Sequence, residues 1–308
     1  MLLNTIIILN PVSGKKNAEK IYLELTKHTE FAQCPVYRTQ YPNHAASLTE
    51  QAIAEGARKI IIIGGDGTLH QVVNGIMNQN ICPSSEIQVG IISIGTGNDW
   101  VKTYKFSKDI QKNIQTLKNN KTFNQDIGKL FFTDQNGTPQ STYFVNMAGL
   151  GFDATVVEKS LPEKDKLGPL VYTVGAIKAL FGFSCIPLRI CIKDKIIESP
   201  CYLIIGAINR FAGGGMLFAP NAISDDGLLD IIIIKNMSRL EVILNLYNLF
   251  TGSYIKHPKV ESYKASEFSV EVEAPHHRKV KTQADGELYL HGPYHFSICP
   301  KAIQFIVP

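Results

Sequence analysis

The 308-residue chain lacks the cysteine patterns of metal and disulfide proteins. Its six cysteines form no CxxC pair and no cluster with histidine at metal-ligand spacing, so neither a zinc site nor a disulfide framework is predicted. The chain also lacks low-complexity runs and internal repeats, which excludes solenoid and collagen-like folds. We therefore interpret the cysteines as reduced thiols of a protein that stays inside the cell.

Targeting and membrane-spanning signals are missing as well. No basic region precedes the first apolar run, so a signal peptide is not predicted. Residues 167–188 approach the length of a membrane span, but Lys178, three glycines and two prolines interrupt them. These observations predict a cytoplasmic protein without a spanning helix.

Charge excludes one class of partner. The net charge is +4, with 19% charged and 44% hydrophobic residues. This basicity suits an anionic membrane surface or a nucleotide, but it is too weak and too dispersed for nucleic acid. No nucleic-acid partner is expected.

The first 125 residues alternate short β-branched runs with helical patterns, and the chain length favours two domains. The run Ile60 to Ile63 is apolar on both faces, as in a central parallel strand covered by helices on each side. The pattern predicts an α/β domain with a doubly wound, mostly parallel sheet over residues 1–125. Its strands are expected at 5–9, 35–39, 59–63 and 88–93, and its helices at 18–29, 44–55 and 69–77.

From residue 126 onward the pattern changes to short alternating segments separated by turns, which predicts an all-β antiparallel sandwich or barrel over 126–299. We favour the sandwich. Two helices are expected to interrupt it, near 169–181 and 240–251, the second with a Ser238/Glu241 capping box. Residues 304–307 could finish the sandwich or return to the first domain. The strands are expected at 129–133, 142–147, 188–193, 202–209, 229–235, 267–273 and 280–289.

Three loops after predicted strands could bind phosphate, because ligands of parallel sheets lie beyond the carboxyl ends of the strands. The most informative is Gly64-Gly65-Asp66-Gly67-Thr68, which follows the isoleucine run. Its glycines allow a close backbone approach to a polyphosphate, and Asp66 could hold a metal or a ribose. A hairpin at Asp66-Gly67 would need a strand next, whereas residues 69–77 have helical spacing.

The other two loops are more ambiguous when taken alone. Residues 10–16, Asn-Pro-Val-Ser-Gly-Lys-Lys, could be a plain strand-to-helix turn with solvated lysines. In residues 95–100, Gly-Thr-Gly-Asn-Asp-Trp, either Asn98 or Asp99 could simply cap a helix. None of the three loops matches the P-loop or the dinucleotide fingerprint. A phosphate cradle of another kind is predicted.

In combination these loops resemble a known family. Residues 64–68 and 72–75, then 95–99, 10–14 and a late Asp285-Gly286-Glu287, resemble the diacylglycerol kinase catalytic domain, whose relatives include sphingosine and ceramide kinases. GGDGT alone is shared with NAD kinases and phosphofructokinases, but GGDGT, GTGND and DGE in this order are far more specific. The resemblance covers nearly the whole chain. It implies an ATP- and Mg²⁺-dependent kinase that phosphorylates the hydroxyl of diacylglycerol or a related lipid.

The resemblance also implies roles for individual residues. Asp66 and Asp99 would organise the phosphates and the catalytic magnesium, and Glu287 would be the general base. Asp126 would belong to the magnesium and water network. A second, structural magnesium would be held by the Asp226 carboxylate and the main-chain carbonyls of Ile223 and Leu228. The ATP site would be lined by Asn10, Gly14, Thr39, Gly64, Gly65, Asp66, Gly67, Thr68, Gly95, Thr96 and Asn98.

Some positions stay open. From the residues alone, Asp226-Gly227 and Asp285-Gly286 are both predicted to be hairpin turns, and only the resemblance makes them sites. His70-Gln71 replaces the Asn-Glu frequent in the family, which leaves the acceptor lipid undecided. Trp100 replaces the usual Phe or Leu, either as an apolar anchor or as an aromatic that touches lipid.

A lipid substrate predicts peripheral contact with the inner face of the membrane. Residues 169–181 could dip into the bilayer or pack on a sheet, and the basic turn at 276–279 could meet headgroups or be a solvated hairpin. Two other functions remain: a kinase of a soluble substrate, like NAD kinase, and a non-catalytic nucleotide- or lipid-binding protein. GTGND argues against the NAD kinase alternative. A homodimer is among the assemblies that the sequence leaves open.

Overall fold

The structure is a computed structural model that describes residues 4–134, 136–160, 174–175, 178–179, 183–272, 280–290 and 292–308. The chain divides into two compact units, Met1–Asp126 with Pro300–Pro308, and Ile127–Cys299. The C-terminal residues thus return to the first unit. The segment predicted at 169–181 lies outside the described residues except for 174–175 and 178–179, and the basic turn at 276–279 lies outside them entirely.

The first unit is built on a parallel sheet in which the chain's last strand pairs with the fourth one through Gln304 and Phe305. The strand order is β2-β1-β3-β4-β17. Because all these strands run in one direction, the loops that follow β1, β3 and β4 start at the same edge of the sheet. The strands are β1 (Thr5–Leu9), β2 (Val36–Arg38), β3 (Lys59–Gly64), β4 (Gln88–Ser93) and the end of β17 (Tyr294–Ile306).

Helices cover both faces of this sheet. Ile7 and Ile61 point into a cluster that includes Leu25 of α2 and Leu117 of α6. Their neighbours Ile8 and Ile62 are also buried, and α3 and α4 pack on β1 and β3. The doubly wound α/β fold is confirmed. The helices are α1 (Ser13–Lys16), α2 (Ala18–Thr26), α3 (His44–Ala54), α4 (Asp66–Asn78), α5 (Asp99–Thr103) and α6 (Ile110–Asn119).

One boundary in this unit differs from the sequence prediction in a way that matters for the site. Helix α4 begins at Asp66 and not at residue 69, with Gly65 in an extended conformation as its N-cap. The expected flexible loop is therefore partly the first turn of a helix. Asp66, Gly67 and Thr68 form that turn.

The second unit is an antiparallel β-sandwich. Its main strand order is β16-β15-β7-β9-β8-β14-β17, while β12 lies between β9 and β13, and β5 pairs with β6. The strands are β5 (Thr122–Thr133), β6 (Pro139–Phe144), β7 (Met147–Gly151), β8 (Ile186–Ile192), β9 (Lys195–Ala207), β10 (Phe211–Ala212), β11 (Met216–Leu217), β12 (Leu229–Lys235), β13 (Val260–Ala265), β14 (Glu267–Val272), β15 (Lys281–Ala284) and β16 (Glu287–Leu290).

Two helices of this unit cover one side of the sandwich, α7 (Phe152–Ser160) and α8 (Arg239–Thr251). Strand β12 is buried on both sides: Ile231 and Ile233 point into the core between the strand layers, and Ile232 and Ile234 into a second cluster that includes residues of α7 and α8. The predicted capping box at Ser238 and Glu241 is confirmed.

Three predictions in this unit are wrong. The single strand expected at 280–289 is two antiparallel strands, because residues 285–286 form a turn between β15 and β16. The strand expected at 142–147 is interrupted, because β6 ends at Phe144 and β7 begins at Met147. The hairpin expected at Asp226-Gly227 does not exist, since β12, which follows it, pairs with β9 and β13. The hairpin at Asp285-Gly286 is confirmed: both residues have positive φ and join β15 to β16.

No helix among the described residues is long and apolar enough to cross a membrane.

Candidate active site

Three glycine loops converge at one edge of the parallel sheet in the first unit. Asn10, after β1, donates a hydrogen bond from Nδ2 to Oγ1 of Thr68 over 3.0 Å. A Cβ on Gly65 would lie 2.8 Å from Cα of Gly95, so the loops after β3 and β4 touch through their backbones. Gly14 has a φ of +61°, and a Cβ there would lie 2.9 Å from the carbonyl oxygen of Ile94. The sequence-predicted loops are therefore in direct mutual contact.

The N-terminus of α4 lies within this group of loops. This 13-residue helix begins after a glycine N-cap, which has no side chain to satisfy the first backbone amides. Such an end carries a partial positive charge and binds phosphate readily. The predicted phosphate-binding position of the 64–68 loop thus coincides with a helix end suited to it.

Asp66 and Asp99 lie side by side near Gly97. An added Cβ on Gly97 would lie 2.8 Å from Oδ2 of Asp66 and 3.2 Å from Oδ2 of Asp99. Asp66 accepts a hydrogen bond from the Asp99 amide at 3.1 Å, and Lys102 lies 3.2 Å from Oδ1 of Asp99. Burial, and secondly the charge of Asp99, raise the pKa of Asp66. Adjacent carboxylates are the ligand type that a hard divalent cation prefers.

The remaining nucleotide-site candidates lie around these loops. Thr39 follows β2 and donates its amide to the carbonyl of Leu9 over 2.9 Å. Thr96 is partly exposed. Asn98 is the left-handed N-cap of α5, and its side chain accepts a hydrogen bond from Ser93 at 2.7 Å instead of capping the helix.

Trp100 is the predicted apolar anchor and not a lipid contact. Its side chain is fully buried, and Nε1 donates to Oε1 of Gln125 over 2.8 Å. Its ring packs against Phe305 of the returning C-terminal strand. The residue therefore fixes α5, which follows the 95–98 loop, to the rest of the first unit.

Asp126 is completely buried in the first unit. Its Oδ1 accepts a hydrogen bond from the Lys301 amide over 2.7 Å. This bond joins β5, at its last residue in the first unit, to the C-terminal part of β17. The role in a magnesium and water network stays a prediction.

In the second unit, the turn before Glu287 is clamped by Asp285. Its carboxylate accepts three consecutive backbone amides, from Val145 at 2.7 Å, Asn146 at 2.8 Å and Met147 at 3.2 Å. This clamp explains why β6 and β7 are separate strands. Glu287 begins β16 directly after the turn, with a partly exposed side chain.

A buried amide network, which sequence reasoning missed, extends this clamp. Asn209 donates to the Val145 carbonyl over 2.9 Å and to Oδ1 of Asn146 over 3.1 Å, and it accepts from Ser224 over 2.7 Å. Ser224 belongs to the loop that contains Asp226. Polar residues at the ends of apolar runs, as in Phe-Val-Asn-Met and Ala-Ile-Asn-Arg, were the only signal for this network.

A second missed chain of hydrogen bonds supports the same turn from the other side. Asp153 Oδ2 accepts from Nε2 of Gln283 at 3.0 Å, and Oε1 of Gln283 accepts from the Gly286 amide at 2.9 Å. Burial raises the pKa of Asp153 to about 6. A Cβ on Gly149 would lie 2.2 Å from Oδ2 of Asp153, so only glycine allows this approach. Asp285 and Gly286, the two residues that precede Glu287, are thus both held by hydrogen bonds.

The carboxylate of the 223–228 loop is already paired with a lysine of β13. Asp226 accepts from the Leu228 amide at 3.1 Å through Oδ1, and its Oδ2 lies 3.0 Å from Nζ of Lys264, which is also 3.0 Å from Asp230. The described residues contain no group of three or more His, Cys, Asp or Glu side chains arranged for a metal. Because the lysine neutralises Asp226, this loop fits a metal poorly. The second magnesium, with Ile223 and Leu228 as ligands, stays a prediction.

Solved structures share this fold. A diacylglycerol kinase from Bacillus anthracis str. Sterne superposes with a TM-score of 0.72 at 19% identity, over 99% of this chain and 97% of that one. Yeast NADH kinase superposes with a TM-score of 0.57 at 12% identity, over 99% and 84%. At these identities the likeness concerns the fold alone.

Sequence comparison gives the family. Residues 4–130 match the diacylglycerol kinase catalytic domain, and residues 146–307 match the YegS C-terminal NAD kinase beta sandwich-like domain. The chain is 31% identical to a diacylglycerol kinase of Staphylococcus carnosus, over 86% of this chain and 83% of the relative. It is 32% identical to a YegS-like lipid kinase of Shewanella frigidimarina, over 84% and 79%. The chain therefore belongs to the bacterial diacylglycerol kinase and YegS-like lipid kinase family.

The first prediction concerns the strain in the Asp66/Asp99 pair. In the unfolded chain Asp66 titrates near 3.9, roughly its ordinary pKa, and in the folded protein it titrates higher. Ionised Asp66 therefore destabilises the fold increasingly as the pH rises from 4 through its folded pKa. Without divalent cations, Asp66→Asn should raise the free energy of unfolding at pH 8, on the order of 1 kcal/mol, and have little effect near pH 4.

Urea unfolding at the two pH values measures this effect. Asp134→Asn is the control: amides of Thr138 and Asn136 lower the pKa of Asp134, so its ionised form stabilises the fold above the unfolded pKa. This control should lose stability at pH 8. If Asp66→Asn were destabilising at pH 8, the description of a strained carboxylate pair would be wrong.

A second prediction concerns the link from Asp153 to the Glu287 turn. Gln283→Glu would put two carboxylates together and should lower the free energy of unfolding at pH 8 by about 2 kcal/mol. Adding Asp153→Asn supplies an amide donor in place of the second carboxylate and should recover 1 kcal/mol or more, roughly the coupling of residues in direct contact. Below pH 6 the penalty of the single variant should shrink, because Asp153 is then protonated. Additive effects of the two changes would show that the link does not exist.

A third prediction tests the Lys264 ammonium, which pairs with Asp226 and Asp230. Lys264→Met should destabilise the protein by about 1 kcal/mol without divalent cations, and millimolar Mg²⁺ should restore more stability to this variant than it adds to the wild type. Lys259→Met, which removes the partner of a single carboxylate, Glu241, is the matched control and should show no such recovery. An equal magnesium effect on wild type and Lys264→Met would mean that the Lys264 ammonium does not occupy the position of a metal ion.

Proposed function

We propose that the protein is an ATP- and Mg²⁺-dependent lipid kinase that transfers the γ-phosphate of ATP to the hydroxyl of diacylglycerol or a related lipid alcohol. The observation that carries this proposal is the mutual contact of the three glycine loops beside the Asp66/Asp99 pair. Phosphoryl transfer needs mainly positioning and charge stabilisation, and such loops supply both.

The first unit would bind the nucleotide. Backbone amides at the start of α4 and the loop containing Gly14 would contact the phosphates. Thr39 and Thr96 follow β2 and β4 at the same edge of the sheet. Asp66 and Asp99 would hold magnesium, which when bound would neutralise charge on the phosphates. The raised pKa of Asp66 supports this assignment, because a bound cation would offset both the burial and the Asp99 charge that raise it.

The second unit would supply the base. Glu287 would take the proton of the lipid hydroxyl as the hydroxyl oxygen bonds to the γ-phosphorus, and ADP would leave with the electron pair of the broken bond. A general base must be held within hydrogen-bonding reach of its proton. The Asp285 clamp and the Gln283 hydrogen bond to Gly286 support this role, because they fix both residues that precede Glu287.

The acceptor is proposed from the relatives. Those at about 30% identity are named as diacylglycerol and lipid kinases, whereas the NADH kinase likeness is one of fold at 12% identity. Diacylglycerol is therefore the first acceptor to test and NAD the rival.

The fourth prediction tests acceptor and base together. Purified protein is incubated with γ-labelled ATP, Mg²⁺ and mixed micelles containing diacylglycerol, monoacylglycerol, phosphatidylglycerol, sphingosine, ceramide or undecaprenol, with NAD in a parallel reaction. Label should enter a lipid. Glu287→Gln should lower kcat by about 10²–10⁴, as loss of a general base does, with little change in the KM for ATP.

Glu267→Gln is the matched control, an exposed glutamate on a strand of the same unit, and it should keep full activity. Label in NAD alone would establish the soluble-substrate kinase instead. ATP binding without label in any acceptor would support the alternative of a non-catalytic binding protein. Full activity of Glu287→Gln would remove Glu287 from the role of base.

A further inference from the structure

The outward face of α8 is apolar along its whole length. Five large side chains at helical spacing point away from the protein, and their exposed fractions run from 45% to 75%. The opposite side of the same helix is also apolar: Val242, Leu246 and Leu249 pack against the second unit's core. The exposed face consists of Leu240, Ile243, Leu244, Tyr247 and Phe250, and we refer to it as the α8 face.

Such a face is unusual on a helix at the surface of a folded domain. Surface helices normally place charged or polar residues opposite their buried side. The five side chains expose on the order of 600 Å², at the upper end of the patches that monomeric proteins show. An apolar patch of this size signals an interaction site.

The α8 face is rigidly mounted. Ser238 and Glu241 close the N-terminal capping box, and Gly252 ends the helix in a left-handed conformation. A Cβ on Gly252 would lie 2.9 Å from Leu217, so the helix end is pressed against β11. The patch is therefore carried by a helix whose two ends are fixed to the rest of the unit.

The chain segment that carries the α8 face is basic. Between residues 239 and 259 the acidic side chain is Glu241, which pairs with Lys259 over 2.8 Å, while Arg239 and Lys256 are exposed at the two ends of the helix region. With Arg239, Lys256 and Lys259 against Glu241, the segment has a net charge of +2. An apolar strip flanked by cations complements an anionic lipid surface, with acyl chains below and headgroups beside it.

We propose that the α8 face docks onto an anionic lipid bilayer and inserts Leu244 and Tyr247 at its interface. The inference rests on the proposed function, because a diacylglycerol acceptor stays in the bilayer and its kinase has to work there. Tyr247 suits the boundary between headgroups and acyl chains, where amphipathic aromatic rings concentrate. A second copy of the chain fits less well, since a stable protein interface buries about 800 Å² per partner.

The fifth prediction uses vesicle flotation of the whole protein. The wild type should float with vesicles of phosphatidylcholine and phosphatidylglycerol, and less with phosphatidylcholine alone or in high salt. Leu244→Gln with Tyr247→Gln should lower the partition coefficient at least about tenfold, because two inserted apolar side chains are lost. The control pair Leu23→Gln with Ile81→Gln, similarly exposed in the first unit, should float like the wild type.

Kinase assays separate this inference from the proposed function. The α8 variant should phosphorylate a short-chain diacylglycerol dissolved as monomers at the wild-type rate, and lose activity on diacylglycerol embedded in vesicles. If neither the wild type nor the α8 variant phosphorylates any lipid, the lipid-kinase proposal is wrong. Loss of flotation in the α8 variant would still support docking in that case.

Three results would overturn docking. The first is a wild type that does not float. The second is a variant that floats as well as the wild type. The third is a change from dimer to monomer on size-exclusion chromatography with flotation unaltered, which would make a second copy the occupant of the α8 face.

Discussion

One carboxylate organises the half of the molecule that holds the proposed base. Asp285 accepts hydrogen bonds from three successive backbone N–H groups. Leaving such buried donors without acceptors would cost free energy. The clamp forces the chain to turn between β6 and β7, and it places a left-handed residue at the tip of the β15–β16 hairpin. Through Asn146 and Asn209 it also fixes the loop that carries Ser224. A substitution at Asp285 would therefore disturb three loops at once.

The first unit places two carboxylates next to glycine loops whose backbones are in direct contact. Contact between Gly65 and Gly95 leaves no space for side chains. At that contact Asp99 is buried and Asp66 is half-buried, with Lys102 as the nearby cation. Such an arrangement is unfavourable by itself, because adjacent buried carboxylates repel each other. A bound cation would relieve this repulsion, so the arrangement is consistent with the proposed binding site and is hard to explain as packing.

Much of the fold could be predicted from sequence because its signals are local. The isoleucine run, the order of strands and helices and the position of each glycine loop depend on residues close together in the chain. Parallel strands then bring the loops to one edge without further information. The hydrogen bonds from Gln283 to Asp153 and from Asn209 to Val145 could not be predicted, since each joins residues more than 60 positions apart. The split at 145–146 escaped prediction for the same reason: its cause, Asp285, lies about 140 residues away.

Helix α8 shows a further limit of pattern reading. A helix that is apolar all round is ordinarily a buried one, so its sequence predicts a helix but gives no sign of an exposed face. Only the structure shows that the side facing away from Leu246 is covered by nothing within the described residues. The α8 face and Glu287 belong to the second unit, and the glycine loops to the first. On the proposed function, groups that serve the lipid and groups that serve the nucleotide are thus carried by separate units, so the lipid preference could diverge while the phosphate loops stay the same.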